Sequence, residues 1–255
     1  MAYREKVTIV RADEIATDIY EMCFSTKNIA KEAKPGQFVS VYSNDGSRLL
    51  PRPISICGIE GDTLRIVYRA IGKGTQEFAT MHAGQTLEVQ GPLGNGYDIS
   101  KVSKERKAIL FGGGIGIPPM LELAKQLDCE KSIVLGYRDE LFLNDEFEAY
   151  GKVYLATEDG SAGTKGNVLD AVKACGIEGD ILFACGPTPM LRAIKQYAKE
   201  KRMECYLSLE EKMACGIGAC LACVCKSTQV DDHSKVHNKR VCKEGPVFNA
   251  EEVEL

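Results

Sequence analysis

The first hundred residues alternate between apolar and polar positions in short runs. Six such runs, separated by turns that contain glycine, proline or asparagine, have the two-residue period of strands that bury one face. They read VTIVRA, IYEMCFS, QFVSVYS, PISICGI, TLRIVYRA and TLEVQGP. We therefore expect residues 1–100 to form an antiparallel sandwich or β-barrel, and closure into a barrel would remove the exposed strand edges.

The pattern changes from about residue 104. Apolar runs now alternate with segments whose apolar residues recur every three or four positions, which is typical of a parallel α/β sheet. The strands read KAILFGG, KSIVLGY, KVYLAT, DILFAC and ECYLSL, and the helices read PPMLELAKQL, GNVLDAVKA and TPMLRAIKQYAKEK. These segments predict a central parallel α/β domain over residues 101–209.

The periodicity ends after Leu209, and the remaining residues 210–255 are rich in cysteine. A segment this short and polar cannot fold on a hydrophobic core of its own. A metal centre, or docking onto a neighbouring domain, must therefore stabilise it. We expect this segment to form a small third domain.

Composition narrows the classes of function. Charged residues make up 27% of the chain, and the formal net charge of -4 gives no long-range field that would attract nucleic acid or an anionic membrane. The first residues, MAYREKVTIV, lack the apolar core of a signal peptide, and no apolar run approaches the roughly 18 residues that span a bilayer. We expect a soluble, cytoplasmic protein without nucleic-acid or membrane partners.

The eleven cysteines are expected to be reduced in that compartment, so disulfide bonds explain them poorly. Six are scattered through apolar or loop segments, where we expect small buried side chains. These six are Cys23, Cys57, Cys129, Cys175, Cys185 and Cys205. The other five lie after residue 214 and need a different explanation.

Four of the later cysteines have the spacing of an iron–sulfur site. Cys215, Cys220 and Cys223 form C-x4-C-x2-C, and Cys242 follows after eighteen intervening residues. This is the plant-type spacing of a [2Fe-2S] cluster, in which one loop supplies three ligands and a distant segment supplies the fourth. The spacing predicts that these four thiols hold a [2Fe-2S] cluster.

The residues around these cysteines bear on the same role. Gly216 and Gly218 would let the loop wrap closely and aim backbone amides at the sulfurs. A zinc knuckle is the alternative, but it usually shows paired C-x2-C elements or Cys/His pairs, and neither His233 nor His237 lies at such a spacing. Cys225 breaks the C-x4-C-x2-C pattern, so we expect a spare thiol on a strand that leaves the loop.

Two motifs in the first hundred residues are candidate flavin-binding elements. In RPIS, Arg52 to Ser55, the arginine can pair with a phosphate as a planar fork and the serine hydroxyl can bond a flavin ring. In VYRAIGKGT, Gly72, Gly74 and Thr75 follow a strand and can form a pocket of backbone N–H groups for a pyrophosphate. A surface arginine and a hairpin turn are the simpler interpretations of each motif alone.

The turn after the first α/β strand is a candidate dinucleotide site. In LFGGGIGIPPML it joins a strand to a helix that two prolines open. Its glycines permit close approach of a dinucleotide, and the helix N-terminus favours negative charge. The four glycines are Gly112, Gly113, Gly114 and Gly116. Ile117 stands where the last glycine of G-x-G-x-x-G would be, which disfavours a plain Rossmann dehydrogenase.

A second turn, in FACGPTPML, carries Cys185, Gly186 and Pro187 from a strand into a helix, with Thr188 as the expected helix cap. Its position at the carboxyl end of a parallel strand is where open α/β sheets bind ligands. The acidic pair Asp139–Glu140 follows another strand and would disfavour a 2'-phosphate. The sequence therefore predicts NAD rather than NADP.

The whole set of motifs resembles a known superfamily. A barrel with RPIS and GKGT, a sheet with GGGIGIPPM and CGPTPM, and an iron–sulfur tail are together similar to the ferredoxin–NADP reductase superfamily. The tail motifs MACGIGACLACVC and VCKEGPVF resemble the electron-transfer subunits of class 1B dihydroorotate dehydrogenases, and the resemblance covers nearly the whole chain.

This resemblance implies cofactors and their residues. It implies FAD in the barrel, NAD on the α/β domain and a [2Fe-2S] cluster on Cys215, Cys220, Cys223 and Cys242. The family's FAD-binding positions match Arg52, Pro53, Ile54, Ser55, Val67, Tyr68, Arg69, Gly74 and Thr75. Ser55 and Cys185 are expected to line the site where a hydride passes between flavin and nicotinamide, without either acting as an acid or a base.

The resemblance also implies a partner. The family's catalytic subunit carries FMN, oxidises dihydroorotate to orotate for pyrimidine biosynthesis, and forms a heterotetramer of two plus two subunits. Electrons would then pass through the [2Fe-2S] cluster and FAD to NAD+. Exposed apolar surface is expected around the cysteine tail if a partner covers it.

Two other functions stay open at this point. A flavin subunit of an NAD(P)H-dependent ferredoxin or sulfide reductase resembles this plan closely, although such relatives often carry aspartate where this chain has Cys215. A redox-sensing module without turnover is an alternative of another class. The intact flavin and dinucleotide motifs argue against it, since a sensor needs no paired flavin and nicotinamide sites.

Overall fold

The structure is a computed structural model that describes residues 2–230 and 235–255 of the chain. His233, one of the histidines weighed above as a zinc ligand, lies outside the described residues. Within those residues no helix is both long enough and apolar enough to cross a membrane.

Six antiparallel strands close into a barrel in the first third of the chain. They are β1 (Tyr3–Ala16), β2 (Ile19–Ser25), β3 (Phe38–Tyr42), β4 (Arg52–Glu60), β5 (Thr63–Arg69) and β6 (Thr86–Leu93). Their order round the barrel is β1-β2-β5-β4-β3-β6, so the predicted closed barrel is confirmed. Two short helices lie between strands, α1 (Ile29–Glu32) and α2 (Lys73–Phe78).

The barrel interior is filled by the apolar residues of the alternating runs. Val7 and Ile9 of β1 point inward at 1% exposure each, whereas their polar neighbours face solvent. Phe24 and Ile66 are fully buried beside them, and Phe78 of α2 lies in the same cluster. Each such side chain stabilises the fold by about 1.5–3 kcal/mol relative to an exposed one. The period of two in the sequence thus produces the buried face.

Parallel strands and four helices follow the barrel. The strands are β7 (Lys107–Gly113), β8 (Glu130–Tyr137), β9 (Lys152–Thr157), β10 (Thr164–Lys165), β11 (Ile181–Cys185) and β12 (Glu204–Ser208). The helices are α3 (Pro118–Gln126), α4 (Asn144–Phe147), α5 (Val168–Cys175) and α6 (Thr188–Lys201). In the sheet order β10-β9-β8-β7-β11-β12, the direction of strand succession reverses between β7 and β11. Ligands bind at such a switch point in open α/β sheets.

The tail adds three short strands, β13 (Val224–Lys226), β14 (Asn238–Arg240) and β15 (Val247–Asn249). β13 and β14 pair with each other, whereas β15 pairs antiparallel with β12 and extends the α/β sheet to seven strands. Phe248 and Val241 of the tail are buried in one cluster with Leu207 of the sheet. Docking onto the α/β domain therefore supplies the core that the tail lacks by itself.

Two expectations about single residues are wrong. Thr188 is the first residue of α6 and Pro187 is the N-cap, because the ring of Pro187 fixes the extended backbone that precedes the helix. Cys175 is exposed in the last turn of α5, and Cys129 is half-buried. The other four scattered cysteines are buried as expected.

Side chains fix the barrel against the α/β sheet. The buried carboxylate of Glu122 on α3 accepts a hydrogen bond of 2.9 Å from the backbone N–H of Ile59 on β4. Arg65 of β5 forms a two-pronged ion pair with Glu146 of α4, with N···O distances of 2.6 and 2.8 Å. Bidentate pairs of this kind fix orientation as well as distance. The two domains are thus held in one relative position.

Candidate cofactor sites

The RPIS and GKGT motifs, which sixteen residues separate in the sequence, meet at one end of the barrel. Arg52 opens β4, and Gly74 lies in the first turn of α2. A Cβ placed on Gly74 would lie 2.6 Å from Nη2 of Arg52 and would overlap the rest of the guanidinium. The guanidinium therefore rests directly on the backbone of Gly74, and only glycine leaves room for it.

Thr75 closes the turn in front of this arginine. Its Oγ1 accepts a hydrogen bond of 3.1 Å from the Gly72 N–H and donates one of 3.0 Å to the Gly72 carbonyl. The hydroxyl thereby satisfies the backbone of the helix start, as a capping side chain does. GKGT forms the N-cap and first turn of α2 itself.

The remaining flavin candidates divide by burial. Ile54, Val67 and Tyr68 have buried side chains, so they can face a ligand only through their backbone. Pro53 and Arg69 are exposed and Ser55 is half-buried. Tyr68 stacks on Tyr20 with ring centroids 6.1 Å apart and meets Phe78 edge-on, which holds β5 and α2 together.

The two glycine turns of the α/β sheet contact each other, because β7 and β11 are neighbouring parallel strands. A Cβ on Gly116 would lie 2.5 Å from the Cys185 carbonyl oxygen and 2.6 Å from the Cα of Gly186. A Cβ on Gly113 would lie 2.5 Å from Sδ of Met190 on α6. The close packing of the turns therefore requires glycine at both positions, whether or not a ligand also approaches the backbone there. The structure brings the two predicted motifs together at the switch point.

Cys185 lies beneath these turns. Its side chain is fully buried and packs in one apolar cluster with Val67 and Cys57 of the barrel. Burial, together with the nearby carboxylate of Glu210, raises the pKa of Cys185 to about 12, so the thiol stays protonated at neutral pH. A protonated thiol is a weak nucleophile, which agrees with a lining role. Ser55 lies across the domain boundary on the barrel strand β4.

A cleft of about 990 Å³ runs between the barrel and the α/β sheet. Gly113 and Gly114 line it from the sheet, and Arg69 lines it from the barrel. Asp139 and Glu140 line it as well, so the acidic pair that predicted NAD lies at the predicted site. Like charge at this position disfavours a 2'-phosphate.

The same cleft is also lined by Thr17, Glu158 and Asn167, which the sequence did not single out. The Glu140 carboxylate accepts a hydrogen bond of 3.0 Å from the backbone N–H of Thr17, in the turn between β1 and β2. Glu158 and Asn167 line the cleft from the ends of β9 and the start of α5. Asn167 caps α5 by accepting from the Leu169 N–H at 2.9 Å. An asparagine directly before an apolar helical run was the signal available for it.

The four predicted cluster ligands approach one another as two pairs. Cys215 and Cys220 share a side-chain hydrogen bond. Cys223 accepts a hydrogen bond of 3.4 Å from the backbone N–H of Cys242, and these two thiols contact each other as well. In the described parts of the chain no three metal-ligating side chains surround a single ion site. Two thiolates for each of two irons is the ligand set of a [2Fe-2S] cluster, and the residues fit it.

Backbone N–H groups point at the sulfurs of the cluster ligands. The N–H of Gly218 donates to Cys242 Sγ at 3.1 Å, and that of Ala219 donates to Cys215 Sγ at 3.3 Å. Burial raises the pKa of Cys215, but backbone donors that include Ile217 and Ala219 outweigh it and lower the pKa to about 6. The loop is thus arranged to stabilise a thiolate, the form that binds metal.

Left-handed backbone conformations let the cysteine loop turn so tightly. Gly216 has φ +68° and Gly218 has φ +86°, as the wrapping predicted for these glycines requires. Leu221 adopts φ +59° between two of the cysteines, which strains a residue with a side chain. Such strain is characteristic of functional loops.

The cysteine loop lies against the barrel. A Cβ on Gly216 would lie 3.0 Å from Oγ of Ser40 on β3, and Ser40 is paired with Pro53 of the RPIS strand. The segment after Cys242 is attached to the same end of the barrel through Asn95. The Asn95 side chain donates to the carbonyls of Lys243 and Glu244 at 3.1 and 3.2 Å. Cys225 lies apart from the two pairs, on β13.

Comparisons with known proteins bear directly on these sites. A sequence model of the iron–sulfur cluster binding domain of dihydroorotate dehydrogenase B matches residues 210–254. The electron transfer subunit of dihydroorotate dehydrogenase B (NAD(+)) from Fusobacterium nucleatum subsp. nucleatum is 45% identical over 264 residues, with 98% of each chain covered. The same subunit from Geobacillus sp. (strain WCH70) is 44% identical over 263 residues, with 100% of each chain covered. The chain belongs to this family.

A solved structure supports the fold of this electron-transfer subunit. An NADH-dependent reduced ferredoxin-NADP oxidoreductase, described in connection with flavin-based electron bifurcation, matches with a TM-score of 0.86 and 31% identity, over 97% of this chain and 89% of that chain. The expected relationship to ferredoxin–NADP reductases is confirmed. FAD, an iron–sulfur cluster and NAD are confirmed as cofactors at the level of family and fold. The individual residues assigned to them stay predictions.

Proposed function

We propose that this chain carries electrons to NAD+ from a partner subunit that oxidises dihydroorotate. The observation that supports the route best is the contact between the cysteine loop and the flavin barrel, where Gly216 packs on Ser40 beside Pro53. The dinucleotide cleft opens on the other domain, next to Arg69 of the same barrel. These contacts support a route from the cluster through the flavin to the dinucleotide.

In this proposal each segment of the chain has one task. Residues 1–100 bind FAD, residues 101–209 bind NAD and residues 210–255 hold the cluster. Because β15 pairs with β12, the third segment is also part of the α/β sheet. That pairing supports a rigid link between cluster and dinucleotide domain.

The flavin is held at the end of the barrel where Arg52 rests on Gly74. The planar guanidinium would pair with a phosphate, and the first N–H groups of α2, which lack partners within the helix, would add donors. Ser55 on β4 and Arg69 on β5 also have accessible polar side chains. The surface on which the flavin would lie is shaped by five further residues, Pro53, Ile54, Val67, Tyr68 and Thr75.

The dinucleotide is held at the switch point between β7 and β11. Gly112, Gly113, Gly114 and Gly116 allow its pyrophosphate to approach the backbone at the start of α3. Cys185, Gly186 and Pro187 form the neighbouring wall at the start of α6. Asp139 repels a 2'-phosphate, which supports NAD as the substrate in preference to NADP.

The cluster is held by the pairs Cys215–Cys220 and Cys223–Cys242, with N–H donors from Gly218 and Ala219. A bound cluster would supply one-electron transfer, and a bound flavin would supply the conversion between single electrons and a hydride. Hydrogen bonds to the sulfurs tune its potential.

The residues of this chain perform no acid–base step in the proposal. Dihydroorotate loses two electrons and two protons at the partner, NAD+ takes up two electrons and one proton, and the second proton passes to water. Met190 packs against Gly113 and Gly186 and would help to exclude water from the bound dinucleotide. Cys185 stays protonated and contributes bulk without charge.

Exposed apolar side chains around the cysteine loop support a protein partner there. Ile217 and Leu221 are each 50% exposed, and Val224, Val230 and Val236 are 36–51% exposed on the same tail. Apolar side chains exposed along one short tail favour a subunit interface there. We propose an FMN-containing catalytic subunit as the partner and a heterotetramer of two plus two subunits. The expected cytoplasmic location also remains a prediction.

Mixing the two subunits tests the function. Dihydroorotate-dependent NAD+ reduction is measured for this chain co-purified with an FMN-containing dihydroorotate dehydrogenase subunit, and for each protein alone. The proposal expects NADH only from the mixture. A stable complex that contains FAD and cluster but makes no NADH would mean that another acceptor is used. Purified chain without FAD would favour the redox-sensing alternative.

A further inference from the structure

One peptide unit of the cysteine loop is hydrogen-bonded at both of its ends. The carbonyl of Gly218 accepts from Nη1 of Arg240 at 2.9 Å. The N–H of the same peptide, which belongs to Ala219, donates to Cys215 Sγ at 3.3 Å. A cation at one end of a peptide polarises it and strengthens the hydrogen bond that the other end donates. The charge of Arg240 therefore reaches the sulfur of Cys215 through a single amide.

The same contact fixes a second donor. The N–H of Gly218 bonds to Cys242 Sγ at 3.1 Å, so the anchor on Gly218 also sets the position of this hydrogen bond. A side chain at position 218 would crowd the segment after Cys242, because a Cβ there would lie 2.9 Å from Cβ of Lys243. One ligand from each pair thus depends on the placement of Gly218.

Arg240 is itself held by one carboxylate. Oε2 of Glu244 accepts from the backbone N–H of Arg240 at 2.7 Å and from its Nε at 3.0 Å. The side chains of Arg240 and Glu244 are 23% and 30% exposed, so water screens their charges only partly. Both residues lie two positions from Cys242.

Adding an electron to a cluster adds one negative charge next to these sulfurs. Hydrogen bonds to the sulfurs and nearby positive charge stabilise the reduced state and raise the reduction potential. Arg240 acts in this direction, and the negative charge of Glu244 opposes it. The balance between the two residues therefore affects the potential.

We propose that Arg240 is a positioning residue that sets the reduction potential of the cluster through the Gly218–Ala219 peptide, with Glu244 moderating its charge. The proposal rests on the assignment of Cys215 and Cys242 as cluster ligands made above. Arg240 would then affect electron transfer although it binds no cofactor itself.

The test is a redox titration of the cluster, monitored by electron paramagnetic resonance, on the co-purified complex. Arg240→Gln removes the charge but keeps a donor, and we expect about a tenfold shift of the reduction equilibrium toward the oxidised state, which is about 59 mV for one electron. Arg240→Lys keeps the charge and should recover at least half of that shift. Glu244→Gln should shift the equilibrium the opposite way, by about threefold. Lys243→Gln is the matched control, because Lys243 is an exposed cation beside Cys242.

The outcomes separate the inference from the function on which it rests. An unchanged potential in Arg240→Gln, or an equal shift in Lys243→Gln, would overturn the role of Arg240 while leaving the function intact. If Arg240→Gln fails to load a cluster, the reduction potential of Glu244→Gln tests the proposal instead. A potential that is not higher than that of the wild type would then overturn the proposal. A wild-type chain that binds no cluster would overturn the proposed function and this inference together.

Discussion

The contact between Gly74 and Arg52 gives a sharp prediction about flavin binding. In Gly74→Ala the new Cβ would lie 2.6 Å from Arg52 Nη2 and closer to the rest of the guanidinium, so the guanidinium must move. It is the end of a flexible side chain, and alanine favours a helix over glycine by about 1 kcal/mol. The substitution should therefore leave the fold intact and remove Arg52 from its phosphate-binding position.

The expected magnitude follows from the lost phosphate contact. A hydrogen bond to a charged group contributes about 1.5–3 kcal/mol. Since each 1.4 kcal/mol is about tenfold in affinity, the Kd for FAD should rise roughly 10- to 150-fold. Gly72→Ala is the matched control, because a Cβ at Gly72 meets nothing within 4 Å and its φ of -118° suits any residue. Its Kd should stay within about twofold of the wild-type value, which is under 0.5 kcal/mol.

The assay is titration of flavin-free protein with FAD, followed by quenching of flavin fluorescence, with thermal unfolding measured on the same samples. Wild-type affinity in Gly74→Ala would refute the reasoning, since the arginine would then hold no phosphate. Equal weakening in both glycine variants would also refute it. In that case the cause would be a general effect on α2.

Three further predictions concern other sites. Asp139→Ser should raise the efficiency with NADP(H) relative to NAD(H) about tenfold in steady-state kinetics, because a carboxylate no longer faces the 2'-phosphate; no change would remove Asp139 from the specificity site. Asn95→Ala loses two hydrogen bonds to the segment after Cys242 and should lower the free energy of unfolding in urea by about 1–2 kcal/mol; an unchanged midpoint would show that the backbone pairing suffices. Iodoacetamide at pH 8 should alkylate the exposed Cys175 and leave the buried Cys185 unmodified, because a pKa of about 12 keeps Cys185 protonated. Mass spectrometry of the labelled protein measures both sites. Rapid labelling of Cys185 would contradict its burial.

Local patterns predicted much of this fold. The alternating runs give the barrel strands, and the glycine turns fall at strand ends, because each pattern reports a face that is buried nearby in sequence. The spacing of Cys215, Cys220 and Cys223 predicted a shared loop for the same reason. The position of Pro118 at the start of α3 was predictable from its missing N–H.

Contacts between distant segments were not predictable in this way. Periodicity does not indicate that β15 pairs with β12, or that Asn95 holds the segment after Cys242. The path of the charge from Arg240 to Cys215 depends on one peptide plane and on the contact between β14 and the cysteine loop. The error at Cys175 has a simpler origin, since a cysteine at a helix end tolerates solvent and apolar neighbours alike.

The central claim is that two pairs of thiols connect the partner to the flavin. The most direct measurement compares Cys242→Ala with Cys225→Ala in the complex, using two assays: dihydroorotate-driven NAD+ reduction, and NADH oxidation by ferricyanide, which takes electrons from the flavin. We predict that Cys242→Ala keeps its FAD and its NADH oxidation but loses dihydroorotate-driven NAD+ reduction, whereas Cys225→Ala keeps both activities. Dihydroorotate-driven NAD+ reduction at the wild-type rate in Cys242→Ala would contradict the account.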